Sequence, residues 1–153
     1  MTSKSTPVVT IANRADNTRQ SPTLSDISIV HFPPNNPTLA FLHTSGQVGS
    51  PPPNTNNPFP HTFREQASNA FANVAACLAV GGATSRDISK LTIYIVDINM
   101  EIMRDDLIEV ITAFFNDGEG QVHKPPSSLI GVAGLADGKF LIEVEAEAVV
   151  SLV

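Results

Sequence analysis

The hydrophobic and polar residues of this chain alternate in some segments and recur at helical spacing in others. Ile27 and Ile29 alternate with polar neighbours, and an apolar run at residues 39–44 follows a Pro- and Asn-rich stretch at 33–37. Alternation bounded by turn residues is typical of strands, so the two segments predict a hairpin. Residues 48–61 contain five prolines, which predicts a long surface loop, because proline removes a main-chain donor from helices and sheets.

Two further segments carry apolar residues at helical spacing. The first begins with a capping box at Thr62 and continues to the glycine pair at 81–82. Cys77 lies on its apolar stripe and is predicted to be a core residue rather than a nucleophile. The second has Asn99 as its predicted N-cap and Gly118 as its predicted end.

Three more strands complete the predicted order. Residues 90–97 are rich in β-branched and aromatic side chains, and residues 127–134 and 140–150 are predicted to form two strands joined by a turn at 136–138. The order is therefore β-β-α-β-α-β-β. Each helix needs one covered face, so the order predicts a two-layer α+β domain with both helices on one side of a mostly antiparallel sheet.

The composition fits one compact domain. The chain has 153 residues and 42% hydrophobic content, enough to bury one sizeable core. We predict a single domain at residues 25–153. A flexible N-terminal segment at 1–24 precedes it and could contribute an edge strand near residues 8–11.

Charge narrows the choice of partners. A net charge of −6 repels phosphate backbones and anionic lipid, so neither nucleic acid nor a membrane surface is an expected partner. No apolar run approaches the roughly 20 residues that span a bilayer, and we expect a cytoplasmic protein. Residues 1–24 are rich in Ser, Thr and Asn and carry Lys4, Arg14 and Arg19, which leaves a mitochondrial location open.

The last predicted strand has two unlike faces. Its even-numbered positions from 142 to 148 are apolar and suit packing under helices, whereas Glu143, Glu145 and Glu147 share the opposite face. Like charges about 7 Å apart repel each other, so this second face cannot be a dry core. It must meet water, cations or a polar interface.

Three motifs together resemble one known family. Thr44-Ser45-Gly46-Gln47 ends an apolar run, Pro125-Pro126-Ser127-Ser128 precedes a strand, and Glu143-Val144-Glu145-Ala146 lies in the last strand. In this order and spacing the chain resembles the RidA/YjgF family of small imine deaminases over residues 8–150. The resemblance implies a chorismate-mutase-like fold, assembled as a homotrimer with a central barrel and clefts between subunits. It also implies hydrolysis of 2-imino and enamine acids to 2-keto acids and ammonia, with no metal or organic cofactor.

The resemblance also identifies site residues, and two positions depart from the family pattern. It implies that Glu143 positions or activates water and that the segment Ser45, Gly46 and Gln47 lines the substrate site. Ser127 stands where the family has the arginine that holds the substrate carboxylate, and Leu24 stands in place of a tyrosine. A charge-assisted hydrogen bond contributes about 1.5–3 kcal/mol, so capture of an α-carboxylate should weaken by roughly one to two orders of magnitude.

Other residues could complete the substrate site. Lys124, with His123 before it, could supply a cation in place of the missing arginine, or could be a solvated loop residue. Ser128 could donate to a substrate oxygen, and Tyr94 could face either a cleft or a helix. Glu143 itself could be a general acid or base, or an interface hydrogen-bond partner.

These observations favour a cofactor-independent enzyme that binds a small molecule in clefts between subunits. It would hydrolyse an imine or enamine, or carry out a related proton transfer on a non-standard substrate. The alternative is a catalytically silent trimer that binds a ligand or acts as a chaperone-like surface.

Overall fold

The computed structural model describes residues 8–16, 25–31, 39–53, 55–116 and 123–151. The predicted turn at 33–37 and the predicted helix end at Gly118 lie outside these ranges. The elements are, in chain order, β1 (Val8–Ala12), β2 (Ile27–His31), β3 (Leu39–Thr44), β4 (Gln47–Val48), α1 (Phe63–Val80), β5 (Ile88–Val96), α2 (Met100–Phe115), β6 (Ser127–Val132) and β7 (Ile142–Ser151).

Both predicted helices begin where their capping residues place them. At α1 the Thr62 hydroxyl accepts from the Glu65 amide at 3.2 Å, and the Glu65 carboxylate accepts from the Thr62 amide at 3.3 Å. This confirms the predicted capping box. At α2 the Asn99 side chain accepts from the Glu101 amide at 3.0 Å. The end of α1 is also confirmed, because Gly82 adopts a φ of 75° that favours glycine.

The strands form one sheet in the order β1-β2-β3-β7-β5-β6, and β4 also pairs with β7. Pairing is antiparallel except between β5 and β6, which are parallel. The chain leaves β5, crosses over through α2 and returns beside β5 as β6, which is the usual way to place parallel strands side by side.

The predicted hairpin of residues 127–134 and 140–150 is wrong, because β5 lies between β6 and β7. The predicted turn is present, with the Phe140 amide donating to the Asp137 carbonyl at 3.0 Å. It joins two strands that are not neighbours. Pairing with β5 on one side and β3 on the other makes β7 a central strand, which suits its alternate apolar positions.

One face of the sheet is covered by α1 and α2, which confirms the predicted two-layer α+β fold. The apolar residues of β7 are fully or almost fully buried there: Ile142, Val144, Ala146 and Ala148. They pack with Phe71, Val74 and Leu78 of α1 in one core. The opposite face carries the three glutamates of β7, as the alternation predicts.

The N-terminal part and the proline-rich loop join this framework closely. Strand β1 pairs with β2 at the edge of the sheet. The Arg14 side chain is buried and donates to the Asn73 side chain on α1 at 2.9 Å. The domain boundary at residue 24 stays a prediction. The predicted loop begins one residue later than expected, because Val48 pairs with Glu143 in β4.

Within the described ranges, no helix is long and apolar enough to cross a membrane.

Candidate functional site

A β-bulge lies between β3 and β4, opposite the middle of β7. His43 pairs with Glu147 and Gln47 pairs with Val144, so the three residues of 44–46 face only the two of 145–146. The Thr44 hydroxyl accepts from the main-chain amide of Ala146 at 2.9 Å, in place of a ladder bond. An extra residue of this kind shifts which side chains face each side of the sheet.

The bulge brings Gly46 against the side chain of Glu143. A Cβ at position 46 would lie 2.5 Å from Cδ and 2.8 Å from Cγ of Glu143, and closer still to its carboxylate oxygen. No real Cβ packs at such distances. The Glu143 carboxylate can therefore occupy this position only because residue 46 has no side chain. The predicted site residues Gly46 and Glu143 are therefore neighbours.

Glu143 is partly buried on the open face of the sheet, which is the face opposite the two helices. Burial raises the pKa of its carboxyl, and the nearby negative charge of Glu145 raises it further. Both effects disfavour the charged form of the carboxyl. A carboxyl with a raised pKa can exchange a proton closer to neutral pH than an ordinary glutamate can.

Tyr94 lies directly opposite Glu143 in the register of β5 and β7. Paired residues face the same side of a sheet, so Tyr94 lies on the open face and not under a helix. Its hydroxyl donates to Oε2 of Glu145 at 3.1 Å, and this bond raises the pKa of Tyr94, together with its burial and the charges of Glu145 and Glu143. Ser128 pairs with Thr92, which itself pairs with Glu145, so Ser128 shares this face.

Two predicted site residues lie on the other side of the sheet. Ser127 pairs with Leu91, which is buried under the helices, so Ser127 points to the helix side at the exposed strand β6. Ser127 and the exposed Lys124 line a groove of about 250 Å³ against α2. His123 also lines it, and its Nε2–H donates to the Ile88 carbonyl at 2.7 Å. Within a single copy of the chain, these residues do not meet Glu143.

Ser45 and Gln47 form contacts that hold the bulge rather than contacts with Glu143. The Ser45 hydroxyl donates to the Ser25 carbonyl, and the Ser45 amide donates to the Asp26 carbonyl at 2.9 Å. The Gln47 side chain donates to the Ser45 carbonyl at 3.1 Å. Gln47 pairs with Val144, so it faces the helix side. The sequence did not indicate these contacts.

The sequence reasoning also missed the polar side chains of α1 that reach this site. Gln66 and Asn73 are buried, with 1% and 7% of their surface exposed, and they bind main chain near Gly46 and Glu143. The available signal was their position on the core-facing side of an amphipathic helix, where a polar residue needs hydrogen-bond partners. The described residues contain no cluster of three or more His, Cys, Asp or Glu that could hold a metal.

The sheet topology, the two helices on one face and the bulge beside Glu143 define a small α+β domain of the chorismate-mutase-like type. A sequence model of the family described as Endoribonuclease L-PSP matches residues 29–150. This match covers most of the chain, and the chain belongs to that family, known also as the Rid or YjgF family. No functionally curated protein matches the chain significantly.

Solved structures share the fold over most of the chain. YyfA from Yersinia pestis, a Rid-family protein of unknown function, is 23% identical, with a TM-score of 0.71 over 92% of this chain and 98% of its own. A YjgF/YER057c/UK114-family protein from Mycobacterium tuberculosis is 20% identical, with a TM-score of 0.64 over 92% and 98%. Escherichia coli TdcF, solved with bound serine, is 32% identical, with a TM-score of 0.59 over 73% and 80%.

Proposed function

We propose that this protein is a cofactor-independent enzyme that hydrolyses an imine or enamine, with Glu143 as its acid and base. The observation that carries the proposal is the partly buried Glu143 carboxylate, packed against Gly46 and carrying a raised pKa. Glu143 would accept a proton from water as the water oxygen attacks the imine carbon. It would then return this proton to the nitrogen, which gives a carbinolamine. In a second transfer, Glu143 would take the hydroxyl proton of the carbinolamine and deliver it to the nitrogen as the carbonyl forms, the carbon–nitrogen bond breaks and ammonia leaves. A proton transfer on a related substrate would use the same carboxyl.

The geometry favours an active site built between subunits. Glu143 and Tyr94 lie on the open face of the sheet, whereas Ser127 and Lys124 face the helix side beside β6. A substrate that touches both groups must therefore lie between two copies of the chain. This supports the homotrimer with interfacial clefts that the family resemblance implies.

Ser127 favours a substrate other than a simple amino-acid-derived imine. Its hydroxyl donates to the Pro125 carbonyl at 3.1 Å, and a hydroxyl lacks the charge and the two-pronged geometry of arginine. TdcF was solved with serine, which has an α-carboxylate. We therefore propose a larger or less anionic substrate for this chain, in the cytoplasm. The net charge of −6 does not favour RNA as that substrate.

The test is hydrolysis of freshly generated 2-iminopropionate, followed by trapping of the remaining imine with semicarbazide. A slow wild-type reaction that Ser127→Arg accelerates would support an intact cleft with altered specificity. Glu143→Gln should abolish turnover while gel filtration still shows a trimer. Glu147→Gln changes an exposed glutamate on the same strand and face, so it serves as the matched control.

The alternative is a trimer that binds a small ligand, or acts as a chaperone-like surface, without catalysis. Calorimetry with 2-ketobutyrate and serine separates the two. Binding without turnover in both the wild type and Ser127→Arg would contradict the enzyme proposal. Turnover that survives Glu143→Gln would remove Glu143 from the mechanism.

A further inference from the structure

Three amide side chains follow one stripe of α1 on its buried side. Gln66, Asn69 and Asn73 are three and four residues apart, which places them one above another on a helix. Gln66 and Asn73 are almost completely buried. Every buried side-chain nitrogen and oxygen in the described residues has a hydrogen-bond partner. The hydrogen bonds of these three amides therefore identify the main-chain segments that they hold in place.

Asn73 holds the segment that follows the bulge. Its Nδ2 donates to the Val48 carbonyl at 3.0 Å and to the Ser50 carbonyl at 3.1 Å, and its Oδ1 accepts from Arg14 at 2.9 Å. Asn69 adds a longer bond of 3.3 Å to the Gly49 carbonyl. The segment lies directly on the helix, since a Cβ at Gly49 would come 2.5 Å from the Cα of Gln66.

Gln66 holds the segment that leads into β7. Its Nε2 donates to the Lys139 carbonyl at 2.9 Å, and its Oε1 accepts from the Leu141 amide at 2.8 Å. The same Nε2 donates to the Pro60 carbonyl at 3.1 Å. Glu143 follows Leu141 by two residues, and Val48 pairs with Glu143 across the ladder. Asn73 thus binds β4, and Gln66 binds the segment that enters β7, on the two sides of the contact between Gly46 and Glu143.

We propose that Asn73 and Gln66 are positioning residues, which fix the main chain on both sides of the pair Gly46 and Glu143 and thereby aim the Glu143 carboxylate. This inference rests on the proposed function for its catalytic consequence, but its structural part does not. Without Asn73, β4 loses its hydrogen bond to α1 and can move away from the carboxylate. Without Gln66, the start of β7 loses its attachment. A shift of about 1 Å in a reacting group can cost about a hundredfold in rate.

The experiment compares Asn73→Ala and Gln66→Ala with Val74→Ala. Val74 is the neighbour of Asn73, is fully buried in the core and has an aliphatic side chain that forms no hydrogen bond, so its truncation lowers stability without removing any hydrogen bond of the three amides. The pKa of Glu143 is measured by carbon NMR with side-chain-labelled glutamate, assigned with Glu143→Gln. Asn73→Ser, which keeps a polar side chain, is the second variant if Asn73→Ala does not fold.

The proposal expects both amide variants to lower the pKa of Glu143 toward that of an exposed glutamate, while Val74→Ala leaves it unchanged. Where turnover is measurable, kcat should fall about tenfold or more with a smaller change in KM. The proposal is overturned if the amide variants and Val74→Ala behave alike in the Glu143 titration. The NMR measurement needs no turnover, so an absence of turnover in both the wild type and Ser127→Arg would contradict the enzyme proposal and leave this one decided by the titration.

Discussion

The hydroxyl of Tyr94 donates to Glu145, although the residue directly opposite Tyr94 in the strand register is Glu143. Glu145 therefore accepts a hydrogen bond from Tyr94, and the negative charge of Glu145 adds to burial in raising the pKa of Glu143. Two carboxylates on one strand face are thus made different by their surroundings.

Glu145→Gln should lower the pKa of Glu143. The substitution removes the neighbouring charge and leaves the larger cause, burial, in place, so the pKa should stay above that of an ordinary glutamate. If ionised Glu143 is the base, kcat/KM rises with pH through this pKa. The variant should move that acidic limb to lower pH, and the measurement is the pH profile of kcat/KM beside that of the wild type. If the acidic limb does not move, a group other than Glu143 produces it.

Gly46→Ala should disturb Glu143 directly. The new methyl group would occupy the space of the carboxylate, so either Glu143 rotates away or the bulge opens. Overpacking of this kind costs about 1–3 kcal/mol of unfolding free energy, and we expect turnover to fall well beyond what that loss explains. Urea unfolding and the imine assay check the two effects. Gly134→Ala is the control, because nothing lies within 4 Å of a Cβ there. Equal behaviour of the two variants would contradict the packing argument.

The sequence predicted the elements that depend on local periodicity and capping. Thr62 and Asn99 mark both helix starts, and the alternation from Ile142 to Ala148 separates the buried face of β7 from the glutamate face. These features follow from the spacing of side chains along helices and strands. Glu143 could be placed on the open face for the same reason.

The pairing of strands was not predictable from the same signals. The turn near Asp137 suggested a hairpin of β6 and β7, but β6 pairs with β5 instead. The whole of α2 separates β5 from β6 in sequence, and only the folded structure shows that they pair. The face of Ser127 depends on this register, as does the face of Tyr94. The bulge at 44–46 adds one residue without a specific sequence mark, so the contact of Gly46 with Glu143 also required the structure.

Arg14→Met should lower the free energy of unfolding by about 1–3 kcal/mol, because Asn73 and Asp16 lose a charged donor. Arg14 is buried, and it binds both carboxylate oxygens of Asp16 at 3.0 and 2.7 Å as well as the Asn73 side chain. The measurement is urea unfolding followed by circular dichroism. Arg64→Met is the matched control, since the ion pairs of Arg64 with Asp106 and Glu109 are exposed and should contribute little. A larger effect at Arg64 would contradict this account.

Cys77 should be unreactive in the folded protein. Burial raises the pKa of its thiol to about 12, and the negative charge of Asp26 acts in the same direction. Only the thiolate is a good nucleophile, so both access and ionisation oppose reaction at pH 8. We expect Ellman's reagent to label the thiol slowly in buffer and rapidly in concentrated urea. Ala75 is exposed on the same helix, and the double variant Ala75→Cys/Cys77→Ala should react rapidly without urea. Native labelling of wild-type Cys77 at the rate of that variant would show that the core around α1 opens readily.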